Sequence, residues 1–85
     1  LSGSHHGGNE STLLSMQLPL LHLGMVIVGV PYSVPELSST KTGGTPYGPS
    51  HVAGESNEAP ISEDEKKICL AMGKRLAETA LKLSA

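Results

Sequence analysis

From Ser11 to Pro35 the chain runs for 25 residues without an Asp, Glu, Lys or Arg. A stretch of that length either spans a bilayer or is covered by other protein. Gln17, Pro19, His22 and Gly24 interrupt it, and at Gly24 the pattern changes from helix-like Leu spacing to the β-branched Met25-Val26-Ile27-Val28. This break supports a buried helix followed by a buried strand, and no membrane span is expected.

The flanking residues sharpen that reading. The glycine-rich segment Ser2 to Gly8 leads into Asn9, whose side chain suits an N-cap, and Glu10 complements the positive end of the helix that follows. Leu13, Leu14, Met16, Leu18, Leu20 and Leu21 give this helix apolar surface on more than one face, so it is expected to be mostly buried. Pro19 removes a backbone donor and predicts a kink, or a junction of two pieces, near Leu18. Gly24 closes the helix as its C′ residue. Met25 to Val30, apolar without alternation, reads as a strand covered on both faces of a parallel sheet.

Ser33 to Gly48 has loop composition, with a turn at Thr45-Pro46-Tyr47-Gly48, and a short strand is expected within Pro49 to Gly54. The last helix is announced by Ser62 with Glu65 three residues later, a capping box. An apolar stripe follows at Cys69, Met72, Leu76, Ala80 and Leu83. The order helix, strand, long loop, strand, helix predicts an α/β chain: the final portion of a doubly wound parallel sheet, entered through a glycine-rich loop. Ligands of such sheets sit at the carboxyl ends of strands, which is where Ser2 to Gly8 would lie.

Composition narrows the function. The chain has 85 residues, no Phe or Trp and two Tyr, so Leu, Val, Met and Ala must build its core. A net charge of −2 leaves no basic stripe, and nucleic-acid binding is set aside. One cysteine, Cys69, excludes an intrachain disulfide and a cysteine-based zinc site, and a reducing, cytoplasmic setting is the default. No charged segment or small-residue cleavage signal brackets the apolar run, so no secretory signal is expected. His5, His6, His22 and His51 have no metal-motif spacing, and no metal site is expected.

Three separated motifs carry a resemblance. Ser2-Gly3-Ser4-His5-His6-Gly7-Gly8-Asn9-Glu10, Leu20-Leu21-His22-Leu23-Gly24-Met25-Val26-Ile27-Val28, and Gly43-Gly44-Thr45-Pro46-Tyr47-Gly48 with Val52-Ala53-Gly54 occur in this order. In this they resemble the C-terminal half of WrbA-type NAD(P)H:quinone oxidoreductases. The resemblance implies that residues 1–85 are the C-terminal part of one flavodoxin-like domain whose N-terminal half would precede Leu1. It also implies FMN as cofactor, NAD(P)H as electron donor, a quinone as substrate and a homotetrameric assembly. Ser2, Gly3, Ser4, His5, His6 and Gly7 would then hold the flavin ring, His22 would line the FMN site, and Tyr32 would lie near it. No residue is assigned as a catalytic acid or base. The alternative expectation is a non-catalytic remnant or oligomerisation piece that binds no FMN of its own.

Overall fold

The computed structural model describes residues 8–54, 56 and 58–84. Among the described residues there are three helices, in the order α1 (Asn9–His22), α2 (Glu36–Ser39) and α3 (Glu63–Ser84). The Cα radius of gyration is 13.5 Å and the principal extents are 44 × 26 × 19 Å. A compact chain of this length has a radius near 12 Å, so the molecule is drawn out.

The parallel-sheet expectation is overturned: among the described residues there is no strand and no sheet, and so no doubly wound flavodoxin-like architecture. Met25 to Val30 is irregular, and Met25 and Val26 are more than half exposed. The bonds that fix this segment lie at its end, where Val30 N–H donates to Pro46 O at 2.9 Å and Arg75 Nε donates to Gly29 O at 3.0 Å. An apolar run becomes a strand only when a neighbouring strand takes its backbone groups, and no described segment offers one. The strand expected within Pro49 to Gly54 is absent for a related reason: the N–H of Val52 goes to the Glu65 carboxylate. Among the described residues Thr45 and Gly48 form an isolated antiparallel bridge. There the expected four-residue turn forms, with Gly48 N–H on Thr45 O at 3.1 Å.

Helix α1 runs through Pro19 as one element, without the expected junction. Its N-cap is Gly8, in the left-handed region at φ +101°, and Asn9 is the first helical residue, not the cap. At the other end the sequence reading holds. Gly24, at φ +80°, bonds back to Leu21 O at 3.0 Å while Met25 N–H reaches Leu20 O at 3.1 Å, a Schellman closure that suits a residue without Cβ. The expected burial of α1 does not hold. Leu18 is 66% exposed, and Met16, Leu21 and Leu23 are exposed as well.

The core lies elsewhere and is small. Val30, Leu37 and Ile68 are buried together, with Val34 and Met72 packed against them. It therefore joins the end of the Met25 to Val30 segment, α2 and the second turn of α3. The buried residues of α3 are Glu65 and Ile68; of the stripe read from the sequence, Met72 packs against this core, whereas Cys69 is exposed. Gly44, at φ +105°, lets the loop pass over Ile68, since a Cβ there would overlap the Ile68 side chain.

Candidate functional site

The expected capping box forms at the start of α3: Ser62 Oγ accepts the Glu65 N–H at 3.2 Å, and Glu65 Oε1 accepts the Ser62 N–H at 2.7 Å. Glu65 then does more than cap. Its second oxygen, Oε2, accepts the N–H groups of Gly43 at 2.7 Å and Val52 at 2.8 Å, and Oε1 also meets His51 Nδ1 at 3.1 Å. The side chain is 1% exposed. Burial alone would push its pKa up, but the bonds from Ser62, Val52, His51 and Gly43 hold the charged form, and the pKa falls from 4.5 to about 2. One carboxylate thus anchors three separate stretches of loop.

Neighbouring polar bonds extend this staple. Buried Thr40 donates through Oγ1 to Gly43 O at 2.7 Å, Gly44 N–H donates to Ser50 Oγ at 2.8 Å, and Thr42 and Ser62 hydroxyls lie 2.9 Å apart. Ser39 Oγ donates to Asp64 Oδ2 at 3.3 Å, tying the end of α2 to α3. Gly43 has no room for a side chain, because a Cβ would run into the carbonyl of Ser50 and the Glu65 carboxylate. The Gly43-Gly44 pair is therefore a packing requirement.

This fixed loop forms one wall of a pocket of about 430 Å³. Glu10 from the first turn of α1, Tyr32, Leu37 of α2, Thr40, Thr45 and Tyr47 line it. Gln17 of α1 braces the same wall by donating through Nε2 to Tyr47 O at 3.0 Å. The pocket combines two phenols, the hydroxyls of Ser38, Thr40 and Thr45, the Glu10 carboxylate and the aliphatic surface of Leu37 and Pro46. No Lys or Arg lines it. It suits one side of a flat, polar-edged ring better than a phosphate, which requires cations or converging backbone N–H groups. Its side chains include no nucleophile paired with a histidine. Among the described residues no cluster of His, Cys, Asp or Glu is arranged for a metal ion. No described helix is long and apolar enough to cross a membrane.

Of the residues singled out from sequence, Ser2, Gly3, Ser4, His5, His6 and Gly7 lie outside the described residues. His22 is exposed at the far end of α1 from Glu10, a helix length of about 20 Å. The structure does not bring His22 to the pocket. Tyr32 does line it, as does Tyr47. The sequence reading missed Glu65 and His51 as the centre of a polar network. The capping-box spacing signalled Glu65, but nothing local signalled its bonds to Gly43 and Val52, 22 and 13 residues away.

No family model matches the chain. Among curated proteins it is 46% identical over 85 residues to one from Chromohalobacter salexigens named NAD(P)H dehydrogenase (quinone). That alignment takes in 98% of this chain and 42% of that protein. A protein of the same name from Methanosarcina mazei is 44% identical over 85 residues, covering 98% of this chain and 41% of its own length. One from Methanosarcina barkeri is 44% identical over 84 residues, covering 96% and 40%. The chain matches part of an NAD(P)H dehydrogenase (quinone). It spans about two-fifths of the length of these relatives.

Proposed function

We propose that this chain is the C-terminal part of a WrbA-type, FMN-dependent NAD(P)H:quinone oxidoreductase, working as a homotetramer in the cytoplasm. The observation that carries the reading is identity of 44–46% along nearly the whole chain to relatives named NAD(P)H dehydrogenase (quinone). The pocket beside α1 agrees with it in chemical character: aromatic and aliphatic surface, hydroxyls at the edge, and no cation. FMN, when bound, supplies the two-electron transfer from NAD(P)H to quinone.

This chain's own contribution is position and exclusion of water. Tyr32, Tyr47 and Leu37 offer the ring an apolar face, and the Glu65 staple keeps the Gly43 to Gly48 wall from moving. Ser2 to Gly7, which adjoin α1 at its pocket end in sequence, are proposed to hold the ring edge through backbone N–H groups and small side chains. His22, at the far end of α1 from this pocket, is proposed to reach the flavin or a reduced quinone oxygen bound by another subunit of the homotetramer, not the ring seated in its own pocket.

The test is a titration of the 85-residue chain with FMN, followed by flavin fluorescence. Saturable one-to-one quenching, weakened by Tyr47→Ala, supports the pocket. Absence of binding supports a second reading, a non-catalytic piece that assembles with other polypeptide. The exposed apolar residues of α1 and Met25-Val26 favour that alternative. For His22, flavin affinity and quinone turnover in a full-length His22→Ala protein are expected to fall; unchanged values remove it from the site.

A further inference from the structure

His51 stands between two hydrogen-bond acceptors. Nδ1 is 3.1 Å from Glu65 Oε1, and Nε2 is 2.9 Å from the carbonyl oxygen of Ala59. A neutral imidazole carries one N–H, so in either tautomer one of these contacts sets a nitrogen lone pair against an oxygen lone pair. Only the imidazolium donates to both. The arrangement matters beyond the ring itself, because Ala59 N–H in turn donates to Ala53 O at 2.9 Å. His51 therefore links Ala59, and through it Ala53, to the start of α3. Through the two oxygens of Glu65 the link continues to Val52 and to Gly43, at the edge of the pocket wall.

The charged surroundings are acidic on two sides. From α3, Glu65 touches the ring, with Glu63 and Asp64 in the same turn and Asp64 engaged by Ser39. Glu58 precedes Ala59, and Lys41 is the cation of the segment that leads to Gly43.

We propose that His51 is a pH-sensitive latch, clipping Ala59 to the start of α3 as the imidazolium and letting go of one contact when it loses a proton. The direction follows from the donor count. The latch is closed while both ring nitrogens carry a proton and loosens once one proton is lost, so raising the pH opens it. It carries with it the N–H of Val52, which shares Glu65, and so softens the wall of the pocket from beneath.

Amide hydrogen exchange of the 85-residue chain, read residue by residue by NMR between pH 5 and 8 and corrected for intrinsic exchange, tests this. Protection of Ala59 and Val52 is expected to fall roughly tenfold toward pH 8, the equivalent of one lost hydrogen bond, while Ile68 in the core holds steady. In His51→Gln, whose amide keeps its donors at every pH, that dependence should vanish. If Ala59 and Val52 follow Ile68 at all pH values, or His51→Gln retains the dependence, the latch is wrong. Ring ¹⁵N shifts of the unmodified chain give a reading independent of that variant's folding. Two N–H groups at pH 5 support the proposal, and a single neutral tautomer at pH 5 overturns it. None of these readings involves flavin or quinone, so the proposed activity and the latch can fail separately.

Discussion

Between Thr40 and Val52 the backbone is tied to α3 by hydroxyls and a buried carboxylate, and the glycines there leave no gap for a side chain. From Met16 to Val26, a stretch without a charged residue, the large apolar side chains stand largely in solvent. The polar region is closed within this chain and the apolar region is not. Hydrophobicity therefore does not show which part of a chain is self-sufficient. A directed polar network can find all its partners nearby, whereas apolar surface is buried only if enough chain is present to cover it. That the relatives are more than twice as long agrees with this contrast.

The sharpest way to break the comparison is Glu65→Ala. It strands three backbone donors and a histidine, and removal of a buried charged hub costs about 3–5 kcal/mol. With so small a core, loss of cooperative urea unfolding is expected, followed by circular dichroism. Retained cooperativity would mean that the apolar residues hold the fold after all.

Acid should act on the same group without mutation. The folded pKa lies below the free value, so its stabilisation is complete above about 4.5 and is lost as pH falls toward about 2. The difference amounts to roughly 3 kcal/mol. Thermal unfolding measured between pH 6 and 2 should show a falling midpoint over this window, and Glu65→Gln should show little of it.

Gly24→Ala probes the boundary between the two regions. No atom crowds the position, so the cost is conformational, about 1 kcal/mol for a side chain placed at positive φ. The urea midpoint should shift modestly with α1 content nearly unchanged. Val26→Lys should have the smallest effect on stability, within about 0.5 kcal/mol, because Val26 is 67% exposed. The same change should reduce concentration-dependent association in analytical ultracentrifugation. A large loss of stability from Val26→Lys would show that the apolar face is already part of the fold.

Local chemistry was readable from the chain. The capping box of Ser62 and Glu65, the glycine closure after His22 and the turn from Thr45 to Gly48 all formed, since each depends on residues no more than a few positions apart. Of the apolar stripe read on α3, Met72 meets the core, but Cys69 is exposed and its neighbour Ile68 is buried instead, because several apolar residues lie on the sides of the helix and only Val30 and Leu37 select the one that is covered. The same limit applies to His51, which looked like one more unassigned histidine until Glu65 and Ala59 were placed against it.

By itself, then, the sequence determined where α1 stops and where α3 starts, because those caps are settled by near neighbours, while the start of α1 at Gly8 and the short α2 were not read from it. Tertiary structure decided the rest. Met25 to Val30 has the composition of a strand, but a strand is a relation between segments, and no described segment supplies the other side. Glu65 has the spacing of a cap, but its pKa near 2 and its hold on Gly43 and Val52 exist only because folding gathers donors from across the chain around one carboxylate.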